Sequence, residues 1–217
     1  MGNFEDRKTD YTLYFITDTT YASVDEMIER VDAAIRGGAA IVQLREKDRG
    51  TREYIEIATR VHEVTKKAGV PLIIDDRLDV ALAIGAEGVH VGSSDMPVDD
   101  VRRIADKVAG KDFIVGATAK TVPAALDAFK KGADYLGCGA IYPTTTHVKT
   151  TITSTDTLRD ICAAVPIPVY AIGGLNADNL EVLRGIPIAG VCVVSAIMKA
   201  ADPEGAAVKL LSRIREL

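Results

Sequence analysis

Two aspartates, Asp76 and Asp95, each follow a short apolar run that is typical of a buried parallel strand. The runs are residues 71–74 and 88–91, and residues 78–86 between them are predicted to form a helical crossover. Because the carboxyl ends of parallel strands meet at one edge of a sheet, we expect the two carboxylates to lie side by side. Converging carboxylates repel each other unless a cation lies between them, and carboxylate oxygens suit Mg²⁺ shared with substrate phosphates. Taken singly, each aspartate could instead cap a helix.

A second group of charged residues follows the apolar pair at 41–42. Period-two alternation places Gln43, Arg45 and Lys47 on one face, whereas Leu44 and Glu46 share the other. Two cations and an amide on one face at the end of a strand suit an anionic, multidentate ligand such as diphosphate. The alternative is a solvated loop of mixed charge.

The longest predicted loop, residues 140–154, is rich in hydroxyl groups. It contains Thr144, Thr145 and Thr146, followed by the titratable ring of His147. Hydroxyl and backbone N–H groups bind phosphate well, so this loop is a candidate phosphate site. The alternative is a polar surface loop.

Two further predicted strands end in small residues, at Gly173-Gly174 and at Val194-Ser195. If the strands close into a barrel, these are the loops after strands seven and eight, which commonly bind phosphate together with a helix N-terminus. Thr118, at the end of the fifth predicted strand, could reach the same cavity.

Eight apolar strands alternate with amphipathic helices, without a long linker or a break in composition. The predicted strands are residues 12–17, 40–44, 72–74, 88–91, 113–117, 135–138, 169–172 and 190–194. Helix signals lie between them, including a capping box at Ser23 and Glu26 and terminal glycines at 37, 69 and 132. This pattern predicts an α/β protein with a single (β/α)₈ TIM barrel over residues 11–217, after a polar arm at 1–10. A doubly wound open sheet is the rival architecture.

The composition excludes several classes of function. The 217 residues are 47% hydrophobic and 26% charged, with a net charge of −5, so no basic surface for nucleic acid or membrane is expected. Three cysteines without Cys-x-x-Cys spacing argue against a disulfide framework or a zinc site. No apolar stretch is long enough to span a bilayer, and the polar N-terminus lacks a signal-peptide pattern. We therefore expect a cytoplasmic protein that acts on small molecules, with homo-oligomerisation left open.

Taken in order, these segments resemble the thiamine-phosphate synthase family over nearly the whole chain. The matching segments are residues 14–18 (YFITD), 43–47 (QLREK), Asp76 with Asp95, 142–146 (YPTTT), 171–174 (AIGG) and 194–197 (VSAI). No single segment is decisive, but six in the right order and at the right spacing are specific.

The resemblance implies a TIM-barrel transferase that joins 4-amino-2-methyl-5-(diphosphooxymethyl)pyrimidine to thiazole phosphate and releases diphosphate. It implies Mg²⁺ as the cofactor, held by Asp76 and Asp95. Residues that would act in catalysis are Arg45, Lys47 and Thr118. Substrate-binding residues would be Gln43, Leu44, Arg45, Glu46, Lys47, Asp75 and Thr118 for the pyrimidine diphosphate, with His147 near the diphosphate, and Thr144, Thr145, Thr146, Gly174, Val194 and Ser195 for the thiazole phosphate.

Four positions depart from the usual pattern of the family. His147 replaces a lysine, Asp75 an asparagine, Ser93 a frequent glutamine and Lys120 a frequent histidine. A histidine near its ordinary pKa of about 6.5 carries only part of a positive charge at neutral pH, which should weaken diphosphate binding. The hypothesis is that Lys149 or Lys120 restores the charge and that Asp75 strengthens metal binding.

Three other functions stay open at this point. One is a thiazole-tautomerase-like paralogue on the same barrel, although such paralogues tend to lose the metal and diphosphate residues that this chain keeps. Another is a Schiff-base aldolase that uses Lys120. The third is a non-catalytic barrel that binds phosphate without turnover.

Overall fold

The computed structural model describes residues 12–144 and 151–217, so the predicted arm at 1–10 lies outside the described residues. Eight parallel strands close into a barrel in chain order, which confirms the predicted TIM barrel. The strands are β1 Leu13–Ile16, β2 Ile41–Leu44, β3 Leu72–Asp75, β4 Gly88–Val91, β5 Ile114–Thr118, β6 Tyr135–Gly139, β7 Val169–Ile172 and β8 Gly190–Val193. The barrel closes where β1 pairs with β8 as well as with β2.

Helices follow most of the strands and pack on the outside of the barrel. They are α1 Val24–Arg36, α2 Thr51–Ala68, α3 Leu78–Ile84, α4 Val98–Val108, α5 Val122–Lys130, α6 Thr155–Ala164, α7 Ser195–Met198 and α8 Pro203–Ile214. Between β7 and β8 the structure has only a short 3₁₀ helix, Leu180–Leu183. Among the described residues, no helix has the length and apolar character needed to cross a membrane.

Helix ends follow the sequence signals closely. Ser23 and Glu26 form the predicted capping box at the start of α1. Gly69 ends α2 in the left-handed conformation, with φ 70°. At the end of α1, however, Gly37 keeps a helical φ of −77°, and its neighbour Gly38 takes the left-handed one, φ 102°. Gly37 is still required, because a Cβ there would lie 2.4 Å from the carbonyl oxygen of Glu204 on α8.

The strands separate two hydrophobic cores. The larger core lies between the strands and the outer helices and contains residues such as Leu44, Val89 and Ile161. The smaller core fills the interior of the barrel and consists of Tyr14, Ile16, Ile41, Ile73, Ile114, Tyr135, Tyr170 and Cys192. Its three tyrosine rings pack edge to face, with centroids 5.6–5.9 Å apart. The interior is therefore a packed core that supports whatever lies at the ends of the strands.

Candidate active site

A cavity of about 310 Å³ opens at the carboxyl ends of the strands. Residues from all eight strands line it, together with the loops that follow them. Eleven of the residues predicted from the sequence lie on its wall: Gln43, Arg45, Lys47, Asp75, Asp76, Asp95, Thr118, Thr144, Gly174, Val194 and Ser195. The fold thus collects in one place side chains that are spread over most of the chain.

One wall of the cavity holds both cations against carboxylates. Arg45 Nη1 lies 3.1 Å from Asp18 Oδ2, and Arg45 Nε lies 3.9 Å from Asp75 Oδ2. Lys47 Nζ lies 2.9 Å from the same Asp75 oxygen and forms an ion pair with Asp76. Among the described residues this buried Asp75 oxygen has no hydrogen-bond partner, so Arg45 and Lys47 meet it only as opposite charges. A multidentate anion could offer the cations better-aligned acceptors.

The pKa values on this wall reflect its burial. Burial acts to lower the pKa of Lys47, but the carboxylates of Asp75 and Asp76 outweigh it and raise that pKa above its ordinary value. Burial raises the pKa of Asp75, although Lys47 and Arg45 oppose the shift. The lysine therefore stays charged, and it is held at the mouth of the cavity by groups of opposite charge.

Asp76 and Asp95 come together as the strand order requires. Asp76 follows β3 in the left-handed conformation, with φ 62°, and its N–H donates to the carbonyl of His90 on β4 at 2.8 Å. Asp95 Oδ2 accepts from the N–H of Gly92 at 2.8 Å, which turns this side chain back toward β4. Burial raises the pKa of Asp95; the Gly92 N–H opposes this rise, whereas the neighbouring carboxylate of Asp76 adds to it. The Asp76 carboxylate therefore lies close enough to Asp95 to raise its pKa.

The opposite wall is built from backbone. Gly173 and Gly174 end β7 with φ values of 102° and 66°, and a Cβ on Gly174 would lie 2.7 Å from Cβ of Tyr142. Asn179 Nδ2 donates to the Gly174 carbonyl at 2.9 Å and fixes this turn. Ser195 begins the four-residue helix α7 directly after Val194. The glycines let the chain pass close to neighbouring backbone, which leaves room for a ligand beside it.

The interior holds a hydrogen-bonded chain that was not predicted from the sequence. Gln43 Nε2 donates to Tyr14 Oη at 2.8 Å, and Tyr14 Oη lies 2.7 Å from Tyr135 Oη. Tyr135 Oη lies 3.0 Å from His90 Nδ1, and His90 Nε2 lies 3.0 Å from Thr118 Oγ1. Burial, with the nearby charge of Lys47, lowers the pKa of His90 to about 4, so the ring is neutral at pH 7. The His90 ring is thus hydrogen-bonded at both nitrogens and also lines the cavity.

Some predicted residues lie elsewhere. The side chain of Leu44 is fully buried in the outer core, and Glu46 is bound by Thr19 Oγ1 at 2.8 Å and by Arg49. Neither lines the cavity, so any contact with a ligand there would come through the backbone. Thr145, Thr146 and His147 lie outside the described residues.

Comparison with known proteins identifies the family. A family model described as thiamine monophosphate synthase matches residues 13–197. The chain belongs to this family. It is 48% identical over 205 residues to thiamine-phosphate synthase 2 of Streptococcus pneumoniae serotype 4, covering 94% of this chain and 96% of that protein. It is 47% identical over 204 residues to thiamine-phosphate synthase of Ruminiclostridium cellulolyticum, covering 94% and 95%.

A solved structure, thiamine phosphate pyrophosphorylase from Pyrococcus furiosus, superimposes with a TM-score of 0.86 at 38% identity, covering 96% of this chain and 97% of that one. Membership of the thiamine monophosphate synthase family therefore rests on sequence and on fold over nearly the whole chain. The resemblance noted in the sequence is confirmed.

The carboxylates in the cavity fit a magnesium ion that takes some of its ligands from the substrate. In residues 12–144 and 151–217, no group of three or more His, Cys, Asp or Glu side chains is arranged to hold a metal alone. This chain does bring the carboxylates of Asp76 and Asp95 close together, and both offer only oxygen ligands. Mg²⁺ commonly takes one or two carboxylates and completes its shell with water and phosphate oxygens.

Proposed function

We propose that this chain catalyses the coupling of 4-amino-2-methyl-5-(diphosphooxymethyl)pyrimidine with thiazole phosphate, forming thiamine phosphate and diphosphate. The observation that supports it best is the wall where Arg45 and Lys47 lie beside Asp76 and Asp95 in one cavity. Cations and a metal-binding carboxylate pair side by side suit a diphosphate that must be bound and then released. The cytoplasmic location and homo-oligomerisation stay predictions.

The reaction asks for leaving-group stabilisation more than for a protein nucleophile. The reacting methylene is attached to an electron-rich aminopyrimidine, so its bond to diphosphate can break early to give a stabilised cation. Arg45 and Lys47 would exchange their contacts with Asp18, Asp75 and Asp76 for the diphosphate oxygens as negative charge develops. Mg²⁺ held by Asp76 and Asp95 would supply further positive charge to the leaving group.

The other walls would hold the two organic rings and the second phosphate. Gln43 and Thr118 form the two ends of the interior hydrogen-bonded chain and would contact the pyrimidine. Gly174, Val194, Ser195 and Thr144, which all line the cavity, would bind the thiazole phosphate through backbone N–H groups and hydroxyls. Both substrates would then lie in one cavity, with the thiazole nitrogen directed at the cation.

Lys120 is our candidate for the additional cation near the diphosphate. It follows β5 and lines the cavity together with Thr118, whereas Lys149 lies outside the described residues. Asp75 contacts Lys47 in this structure, and its proposed contribution to metal binding stays a prediction.

The test is to incubate the purified protein with Mg²⁺ and both substrates, follow thiamine phosphate by chromatography, and add EDTA to a parallel sample. Metal-dependent product is expected. Lys47→Gln should reduce kcat/KM by about tenfold or more, since a charge-assisted contact is lost. The control is Lys209→Gln on α8, whose ammonium is exposed and pairs with Asp178. If the wild type binds thiazole phosphate but makes no product, the proposal is wrong and the barrel is a binding protein.

A further inference from the structure

The hydrogen-bonded chain across the barrel has a direction, and Gln43 sets it. The atom of Gln43 that contacts Tyr14 is Nε2, which can only donate. Tyr14 therefore accepts at its oxygen, and its single hydrogen is available for the Tyr135 oxygen 2.7 Å away. The Tyr135 oxygen then accepts from Tyr14, and its own hydrogen would be directed at His90 Nδ1, 3.0 Å away, with the ring in the tautomer that accepts there.

The direction then determines the histidine tautomer. A neutral imidazole carries one N–H, so a ring that accepts at Nδ1 must carry its hydrogen on Nε2. His90 Nε2 lies 3.0 Å from Thr118 Oγ1 and would donate to it in that tautomer. Thr118 consequently uses its oxygen inside the protein and keeps its hydrogen for the cavity that it lines. With the opposite tautomer, Thr118 would have to donate to His90 and could only accept from a ligand.

We infer that Tyr14 and Tyr135 are positioning residues, which act through His90 to present the Thr118 hydroxyl to the substrate as a hydrogen-bond donor. The inference rests on the proposed function for the identity of the ligand, a nitrogen heterocycle with acceptor atoms on its ring. The same chain occupies one N–H of Gln43 and so fixes the orientation of its amide at the other end. One hydrogen-bonded chain thereby fixes both the amide of Gln43 on β2 and the hydroxyl of Thr118 on β5.

The packing explains why the orientation would hold. Tyr14 is 1% exposed and Tyr135 is fully buried, and their rings pack against each other and against Tyr170 in the interior core. Gly116 is needed beside them, because a Cβ there would lie 2.3 Å from Tyr135 Oη and 2.5 Å from His90 Nδ1. Rings confined in this way cannot rotate to other partners without unpacking the interior.

The first experiment needs no substrate. Nitrogen-15 NMR of the histidine rings at pH 7, assigned with His90→Gln, reports which ring nitrogen carries the hydrogen. The expected result is an Nε2–H tautomer with an unprotonated Nδ1, and partial or full change to Nδ1–H in Tyr135→Phe. An Nδ1–H tautomer in the wild type would overturn the inference, whether or not the protein makes thiamine phosphate.

The second experiment measures kinetics of Tyr14→Phe and Tyr135→Phe. Each should lower kcat/KM for the pyrimidine diphosphate by about tenfold, the equivalent of one directed hydrogen bond, while KM for thiazole phosphate changes by less than about twofold. The matched control is Thr65→Val on α2, which also loses one buried hydrogen bond, from Thr65 Oγ1 to the His62 carbonyl at 3.2 Å, but lies outside the cavity. Equal losses in Tyr135→Phe and Thr65→Val would show a structural effect only and would overturn the inference. If the wild type gives no product, the proposed function fails, and the tautomer alone then decides the direction of the chain.

Discussion

Acid should destabilise this protein through His90 in particular. The pKa of this buried ring falls from 6.5 to about 4 on folding, so the unfolded chain takes up a proton that the folded chain refuses. The stability that depends on the neutral ring is fully present above pH 6.5 and is lost as the pH falls toward 4. Since a change of one in pKa corresponds to about 1.4 kcal/mol, the loss relative to pH 7 is about 2 kcal/mol at pH 5 and about 3 kcal/mol at pH 4.

Buried carboxyl groups work in the opposite direction. Burial raises the pKa values of Asp75 and Asp95, so these groups penalise the fold when ionised and stabilise it relatively more as the pH falls. The overall pH dependence therefore mixes both signs. A comparison with His90→Gln cancels the pH dependence that comes from the carboxyl groups, because the variant keeps these groups and lacks only the titrating ring.

The measurement is urea unfolding of the wild type and of His90→Gln at several values between pH 4 and pH 7.5. The free energy of unfolding of the wild type minus that of the variant should fall by about 3 kcal/mol from pH 7 to pH 4. Parallel pH profiles for the two proteins would refute the reasoning, since they would mean that His90 binds its proton equally in the folded and unfolded states.

Three further outcomes are expected. Gly174→Ala should lose more stability in urea unfolding than Gly85→Ala, by about 1–3 kcal/mol. Both residues have φ near 66°, but only the new Cβ at 174 meets other atoms within 3 Å; equal losses would count against the packing argument. Asp95→Asn should raise the Mg²⁺ concentration for half-maximal turnover by about tenfold or more, and an unchanged Mg²⁺ titration would remove this residue from the metal site. Lys120→Ala should raise KM for the pyrimidine diphosphate by about tenfold, and unchanged kinetics would end its proposed role.

The strands could be predicted because each is a continuous apolar run that has no other stable location than a buried parallel sheet. Asp76 and Asp95 were brought together by the same argument, since their positions at strand ends follow from chain order alone. Gly37 ends α1 as predicted, but the left-handed conformation expected at this end lies on the adjoining Gly38.

The interior chain could not be found in the same way. Tyr14 and Tyr135 lie 121 positions apart in the sequence. The residues around each tyrosine do not indicate that its hydroxyl takes part in a hydrogen bond. Their meeting depends on the stagger of the strands around the closed barrel, which decides the side chains that share one level of the interior. Gln43 was predicted as a ligand contact from its neighbours, but its partner inside the barrel depends on that same stagger.

The tyrosines of the interior core also limit how molecules can enter and leave the cavity. Because Tyr14, Tyr135 and the rest of the interior core fill the barrel beneath the cavity, the cavity ends blindly in the described part of the chain. If both substrates bind in it as proposed, reactants and products would share this entrance. A compound bound against the tyrosines would then bind before the compound that covers it, and would be released after it. The barrel would thereby impose an order of binding and release, set by the depth at which each compound binds.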